Sequence, residues 1–230
     1  MDIKGRTAFV TGANRGLGRA IALALQEAGA TTVYAGARDP GSVRDDGLTP
    51  VRLDVTEAST IAAAAELAAD ASIVVNNAGQ LIRGSSLTGP LSETRAMFET
   101  NVFGPIKVTR AFAPVLARNG GGALVDVLSI RSWSTGPGGA SYAATKAALW
   151  SLTNAWRAEL AGQGTLVVGV HVGMLDTDPM IGVEGPKTDP VDLAAQIVAA
   201  LGNDEVEVLG DAGTRALKAQ LSGSPTLLAG

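Results

Sequence analysis

Two residues capable of acid–base chemistry stand four positions apart in the segment SYAATK, residues 141–146, at the head of an alanine-rich run. In a helix this spacing places both side chains on one face, one turn apart. A nearby ammonium group stabilises a phenolate, so Lys146 is expected to lower the pKa of Tyr142 from about 10 towards neutrality. Such a tyrosine exchanges a proton with an alcohol or alkoxide. Because helical Tyr–Lys pairs are common by chance, the hypothesis needs supporting residues.

A glycine-rich turn provides the first support. The segment TGANRGLG, residues 11–18, has the spacing G-x-x-x-G-x-G, and it leads from an apolar run into a helical pattern. Glycines permit a tight turn and a close approach of backbone to a pyrophosphate. The start of the following helix offers free N–H groups and a partial positive charge to phosphate oxygens. A purely structural turn is the alternative, but the position before the first helix favours a dinucleotide site.

The end of the second apolar run indicates which dinucleotide binds. A carboxylate there would accept the ribose 2′-hydroxyl of NAD(H), whereas arginine would bind the 2′-phosphate of NADP(H). Ala37 occupies the acceptor position and Arg38 follows it, while Arg15 in the glycine turn offers a second cation. The charges favour NADP(H). In the alternative, Arg38 is a solvated loop residue and Asp39 accepts the hydroxyl.

These motifs need a scaffold, and the apolar pattern predicts one. Short β-branched runs alternate with helical segments, as in a parallel sheet with helices on both faces. Seven such runs predict a doubly wound α/β, Rossmann-type fold. The predicted strands are Thr7–Thr11, Thr32–Ala37, Val51–Asp54, Ser72–Asn76, Ala123–Ser129, Thr165–His171 and Glu205–Leu209. The predicted helices are Gly16–Ala28, Ala58–Ala69, Glu93–Arg118, Tyr142–Ala161 and Val191–Leu201.

No linker or repeat divides this series, so residues 1–230 are expected to form one dinucleotide-binding catalytic domain. Two loops, Gln80–Leu91 and Gly173–Pro190, follow strands at the edge where ligands bind in such sheets. The second is a candidate substrate lid, although an ordinary connection is the alternative.

Composition excludes several other kinds of function. The chain has no cysteine and a single histidine, His171, so no metal site is expected. The formal net charge of −4 and the lack of basic runs argue against nucleic-acid and anionic-membrane partners. The charged N-terminus lacks the long apolar region of a signal peptide, and the apolar stretches are too short and polar to span a bilayer. A cytoplasmic protein is expected.

In combination, these motifs are far more specific than any one alone. The glycine turn, the NNAG segment of residues 76–79, Asn101, Ser129 and Tyr142-x-x-x-Lys146 occur in one order. Because these motifs follow one another in this order, the chain resembles the short-chain dehydrogenase/reductase family along essentially its whole length.

The resemblance implies roles for individual residues. Ser129, thirteen residues before Tyr142, would hydrogen-bond the substrate oxygen, with Ser132 as the poorer-spaced fallback. Asn101 would hold a water in a proton relay, and Lys146 would bind the nicotinamide ribose. The implied cofactor contacts are Gly12, Asn14, Arg15, Gly16, Leu17, Gly18, Arg38, Asp54, Val55, Asn77, Ala78, Gly79, Tyr142, Lys146 and Thr177.

The chain departs from the family pattern after the sixth strand. Val172-Gly173 replaces the usual Pro-Gly pair, which puts the rigidity of that turn and the position of Thr177 in question. His171 precedes the pair, and a structural histidine is favoured over an acid or base. Trp133 is equally compatible with a pocket wall and with packing.

The expected activity is NADP(H)-dependent interconversion of a carbonyl and an alcohol by a carbonyl reductase or alcohol dehydrogenase. Apolar residues in the two loops favour a hydrophobic small-molecule substrate. The resemblance implies a homotetramer or homodimer packed through the helices at 101–118 and 142–161, with Trp150 and Trp156 suited to an interface. The alternatives are isomerisation or elimination on the same fold, and a non-catalytic nucleotide sensor.

Overall fold

Strands with continuous apolar runs form the centre of the molecule. The structure is a computed structural model that describes residues 1–177 and 184–221. All strand pairings are parallel, as expected for strands buried on both faces. The strands are β1 (Thr7–Thr11), β2 (Thr32–Ala37), β3 (Leu48–Arg52), β4 (Ile73–Asn76), β5 (Ala123–Val127), β6 (Leu166–His171) and β7 (Glu207–Leu209).

The seven-stranded sheet has the order β3-β2-β1-β4-β5-β6-β7, which confirms the doubly wound prediction. The chain passes from β3 at one edge back to β4 beside β1, so the strand order reverses between β1 and β4. Ligands bind at such a switch point, beyond the carboxyl ends of the strands.

Helices cover both faces of the sheet. They are α1 (Gly16–Glu27), α2 (Ala58–Leu67), α3 (Leu91–Phe98), α4 (Gly104–Arg118), α5 (Ala140–Glu159), α6 (Pro190–Gly202) and α7 (Ala212–Gln220). One core cluster joins the sheet to α1 and α6 through Ile21, Leu25 and Ile197. The other joins it to α2, α4 and α5, where Phe112 packs on Phe9 of β1 with ring centroids 4.7 Å apart.

The structure differs from the predicted elements at two helices and at the ends of two strands. The predicted helix Glu93–Arg118 is divided into α3, a π-helical turn at Glu99–Phe103 and α4. The helix α7 was not predicted, because its nine residues have a low mean hydropathy and carry a single buried side chain, that of Thr214. β3 begins three residues earlier than predicted, at Leu48, and β5 ends at Val127 rather than Ser129.

The contact between Phe9 and Phe112 yields a test of the core. Phe112 is fully buried, so Phe112→Ala should lower the free energy of unfolding by about 3–5 kcal/mol through lost transfer energy and a residual cavity. Urea unfolding followed by circular dichroism measures the change. Leu87→Ala is the control, because Leu87 is 94% exposed and its truncation should change stability by less than about 0.5 kcal/mol. Equal losses in the two variants would contradict the assigned core.

Candidate active site

The glycine turn is folded against the end of β4. Gly12 and Gly16 have φ values of +66° and +54°, which residues other than glycine rarely adopt. Gly18 packs more tightly still, since a Cβ there would lie 2.1 Å from the Gly12 oxygen and 2.3 Å from Asn77 Nδ2. Asn77 Nδ2 donates to the carbonyl oxygens of Thr11, at 2.9 Å, and Gly12, at 3.2 Å. The turn is thus a fixed cradle of main chain at the start of α1.

The hydroxyl of Thr11 joins the ends of β1 and β4. Its Oγ1 accepts from the main-chain N–H groups of Asn77 and Ala78, both at 2.9 Å, and donates to the Val75 oxygen at 3.1 Å. These bonds fix the switch point of the sheet and the segment that follows β4. Sequence reasoning gave Thr11 no role of its own.

Arg38 and Asp54 lie just beyond the carboxyl ends of β2 and β3, and both line the same cleft as the glycine turn. The Asp54 carboxylate accepts from the N–H and hydroxyl of Thr56, at 2.9 and 2.7 Å, and these bonds lower its pKa with help from the charge of Arg38. Asp39 instead caps a short 3₁₀ turn, accepting from the Gly41 N–H at 3.0 Å. One oxygen of the Asp39 carboxylate is therefore used by this turn, although Asp39 lines the same cleft as Arg38.

The predicted acid–base residues meet at the carboxyl end of β5. Lys146 is buried on α5, and its Nζ donates to the Val127 oxygen at 2.7 Å while lying 5.8 Å from the centre of the Tyr142 ring. Ser129 begins a 3₁₀ turn, and its Oγ accepts from the Arg131 N–H at 3.1 Å. Ser129, Tyr142 and Lys146 line the same cleft, and Ser129 acts to lower the pKa of the Tyr142 hydroxyl.

The pKa of Tyr142 contradicts the expected effect of Lys146. Burial raises the pKa of Tyr142 to about 12, and the Ser129 hydrogen bond and the Arg131 charge offset this only in part. Burial also lowers the pKa of Lys146 to about 8. The chain's own groups therefore do not bring the pKa of Tyr142 towards neutrality, because desolvation of the phenol is the largest effect and the Lys146 ammonium group donates to the Val127 carbonyl.

Asn101 lies behind the cleft rather than on its wall. Its side chain is 1% exposed in the π-helical turn. Its Oδ1 accepts from the Gln80 N–H at 2.7 Å, and its Nδ2 donates to the Gln80 oxygen at 2.8 Å and to Thr145 Oγ1 at 3.1 Å. Asn101 therefore connects the loop after β4 to α5 beside Lys146. Its part in a proton relay stays a prediction.

The structure accounts for His171 and Trp133 by packing. His171 Nδ1 lies 3.2 Å from the Ser129 oxygen, and the imidazole stacks on Trp133 with ring centroids 3.8 Å apart. Burial lowers the pKa of His171 to about 4, so the ring is neutral near pH 7. Trp133 also contacts Trp150 edge-on, and Lys218 of α7 lies 4.8 Å above its ring. The cluster supports the turn that carries Ser129.

Asp211 replaces the missing proline as the support of the turn after β6. Its Oδ2 accepts from the Gly173 N–H at 2.7 Å, and its Oδ1 caps α7 by accepting from the Thr214 N–H at 2.8 Å. Burial raises the pKa of Asp211, but the N–H groups of Gly173 and Thr214 outweigh it, so the pKa is below its usual value. Thr177 lies over the glycine turn, since a Cβ on Gly16 would be 3.3 Å from its Cγ2.

All the predicted cofactor contacts line one cleft of about 850 Å³. They are Gly12, Asn14, Arg15, Gly16, Leu17, Gly18, Arg38, Asp54, Val55, Asn77, Ala78, Gly79, Tyr142, Lys146 and Thr177. Ser129 lines it too, as do Leu81 and Leu175 of the two apolar loops, and Gln80, which no motif marked. The lid residues Met180, Ile181 and Val183 lie outside the described residues.

Within residues 1–177 and 184–221, no group of three or more histidine and acidic side chains is placed to hold a metal ion. In the same ranges, no helix is long and apolar enough to cross a bilayer.

Comparison with known proteins identifies the family. The short chain dehydrogenase family model matches residues 6–185, and the chain belongs to this family. It is 35% identical over 202 residues to the short chain dehydrogenase tazN of Aspergillus terreus, covering 80% of this chain but only 44% of that protein. The chain thus spans less than half the length of that relative.

Solved structures cover the chain more fully. A short chain dehydrogenase from Burkholderia cenocepacia J2315, crystallised in complex with NADP, is 37% identical, with a TM-score of 0.93 over 97% of this chain and 95% of that one. A gluconate 5-dehydrogenase from the same organism, in complex with NADP and tartrate, is 26% identical, with a TM-score of 0.82 over 93% and 96% of the two chains.

The buried phenol gives a test that needs no substrate. The chain has two tyrosines, Tyr34 and Tyr142, and burial raises the pKa of both. Because the phenolate is the disfavoured form, ultraviolet titration of the protein without added nucleotide should show no tyrosinate below about pH 10. Tyr142→Phe and Tyr34→Phe assign the signals, and circular dichroism checks that the fold persists. A tyrosinate signal below pH 9 that vanishes in Tyr142→Phe would contradict the assigned environment.

Proposed function

We propose that this protein is an NADP(H)-dependent oxidoreductase that interconverts a ketone or aldehyde with an alcohol, using Tyr142 as its proton-transfer group. The observation that carries the proposal is the meeting of Ser129, Tyr142 and Lys146 on one wall of the cleft that begins at the glycine turn. A glycine turn alone supports nucleotide binding only, whereas this wall adds a proton donor and an oxygen-binding hydroxyl.

The residues present fit a dinucleotide. The Gly12–Gly18 turn, in which a side chain at Gly18 would meet main chain, presents N–H groups at the start of α1 for a pyrophosphate. The proposed roles of Lys146 and Thr177 are to hold the nicotinamide ribose and carboxamide, and that of Asp54 and Val55 to hold the adenine. When bound, the cofactor supplies the hydride.

In the proposed mechanism the chain's own groups bind and polarise the substrate oxygen. The hydroxyls of Ser129 and Tyr142 donate hydrogen bonds to the carbonyl oxygen, so developing negative charge there is stabilised by fixed donors. Tyr142 then gives its proton to the alkoxide oxygen, and in the reverse direction it takes the proton from the alcohol. The proposed role of the Lys146 ammonium group, 5.8 Å from the centre of the phenol ring, is to offset part of the cost of the tyrosinate formed after that transfer.

Charge supports NADP(H) over NAD(H). Arg38 lines the cleft at the end of β2, and Asp39, which also lines it, uses its Oδ1 to cap the turn at Pro40–Ser42. The NADP complexes of two similar structures support the same choice.

The substrate proposal is less specific. Leu81 and Leu175 line the same cleft as Tyr142, which favours a hydrophobic carbonyl compound or secondary alcohol, and hence a carbonyl reductase or alcohol dehydrogenase. Isomerisation or elimination on the same fold is the second candidate, and it would consume no NADPH with any carbonyl compound. A non-catalytic sensor is disfavoured because it has no need for Ser129, Tyr142 and Lys146 together.

We also propose a homotetramer or homodimer packed through α4 and α5. Trp150, half-buried on α5, is suited to such an interface, whereas Trp156 belongs to the core. A cytoplasmic location stays a prediction.

Tyr142→Phe tests the reaction. Loss of the proton donor should lower turnover about 10²–10⁴-fold and leave NADPH binding within a few-fold, since the ring is kept. NADPH absorbance over a panel of aryl and alkyl ketones measures turnover, and NADPH fluorescence measures binding. Tyr34→Phe, whose hydroxyl is directed at Asp70, is the matched control with normal turnover. Unchanged turnover in Tyr142→Phe would remove the tyrosine from its proposed role.

Arg38→Ser tests the cofactor choice. Removing the guanidinium should weaken NADPH binding about 10- to 100-fold and leave NADH binding nearly unchanged, because the 2′-phosphate is the one group that differs. Fluorescence titration with each nucleotide gives the ratio. Arg44→Ser is the control, since Arg44 is likewise exposed but does not line the cleft. Equal loss for both nucleotides would contradict recognition of the phosphate by Arg38.

A further inference from the structure

A carboxylate that the proposed mechanism does not use is buried beneath the site. Asp126 of β5 is 0% exposed, three residues before Ser129. Its Oδ1 accepts from Asn76 Nδ2 and its Oδ2 from Thr153 Oγ1, both at 2.8 Å. Asn76 Nδ2 also donates to Thr109 Oγ1 of α4 at 3.2 Å. A buried carboxylate is costly, and these neutral donors do not balance its charge.

Of the two cations that act on Asp126, Lys146 has the larger effect. Lys146 is 5% exposed, and its Nζ donates to the oxygen of Val127, the residue next to Asp126 on β5. Lys146 and Thr153 lie seven residues apart, on the same face of α5, so the helix presents both to β5. Among the described residues no direct ion pair joins Asp126 to Lys146, and the two charges act on each other across the strand.

Each group shifts the titration of the other. Burial raises the pKa of Asp126 to about 6, and the charge of Lys146 opposes that rise. Burial lowers the pKa of Lys146 to about 8, and the charge of Asp126 opposes that fall. Between these values both groups are charged. Arg157 is the other cation acting on Asp126, but it is held by the oxygens of Val167 and Val206 near β6 and β7.

We propose that Asp126 is a positioning residue that serves as the buried counter-charge of Lys146, keeping the lysine protonated beside Tyr142. This inference deepens the proposed function and rests on it for its catalytic meaning. Among residues 1–177 and 184–221, the hydrogen-bond partner of this buried ammonium group is the Val127 oxygen, so without the carboxylate the lysine loses its proton at lower pH.

Asp126→Asn tests the proposal, because it removes the charge while keeping the shape. The new amide accepts from Asn76 through its oxygen and donates to Thr153 Oγ1, which still donates to the Leu149 oxygen at 2.8 Å. The chain has five lysines, so NMR of full-length protein carrying ¹³Cε-lysine gives a simple spectrum, and Lys146→Arg assigns the resonance of interest. The measurement needs neither substrate nor nucleotide.

The wild-type Lys146 signal should titrate near pH 8 and show a second, smaller inflection near pH 6, as Asp126 gains its proton. In Asp126→Asn the main midpoint should fall by about one pH unit or more, and the second inflection should vanish. Thr109→Val is the matched control, because it removes the outer hydrogen bond of the same network without changing a charge. Its midpoint should equal that of the wild type.

An unchanged midpoint in folded Asp126→Asn, or an equal fall in Thr109→Val, would overturn the proposal. If the variant does not fold, a wild-type titration without the inflection near pH 6 overturns it equally. Turnover of the ketone panel by wild-type enzyme is measured alongside. A shifted lysine in a protein that oxidises no NADPH would refute the proposed reaction and leave the counter-charge intact, so the two failures are distinguishable.

Discussion

The hydrogen bonds between the Thr11 hydroxyl and the start of the segment after β4 fix the point at which the strand order reverses. The other parts of the cleft depend on this junction. The Asn77 side chain holds the glycine turn by donating to the Thr11 and Gly12 oxygens, and Gly18 lies so close to Gly12 that no side chain fits between them. The main-chain N–H groups therefore meet a ligand in one fixed arrangement, at the positive end of α1.

Around Tyr142 and Lys146, desolvation is the largest influence on the pKa values of the buried groups. Burial raises the pKa values of Asp126 and Tyr142 and lowers those of Lys146 and His171. For each of them, burial favours the neutral form. The site therefore depends on local partners to retain charge, and small changes in those partners change which groups are ionised at neutral pH.

The fold and most of the cleft could be predicted because they depend on local patterns. Continuous β-branched runs such as Ile73–Asn76 specify strands buried on both faces, and the glycine spacing marks the turn before α1. The resemblance to the family added Ser129 and the adenine contacts, and the structure brings these residues to one cleft.

What could not be predicted depends on contacts between distant parts of the chain. Asp211 supports Gly173 from 38 residues away, and nothing in the sequence around Val172 indicates it. The sign of the shift at Tyr142 was missed because spacing on a helix gives the proximity of Lys146 but not the direction of its ammonium group. The π-helical turn at Asn101 was missed because periodicity alone continues through it.

The loop after β6 is pinned at both of its ends. Leu175 and Thr188 form a parallel bridge, Asp176 N–H donates to the Thr188 oxygen at 2.9 Å, and Thr188 N–H donates to the Met174 oxygen at 2.8 Å. The pairing with Thr188 therefore fixes the main chain next to Thr177, which lies over the glycine turn, so one edge of the cleft depends on a contact made further along the chain.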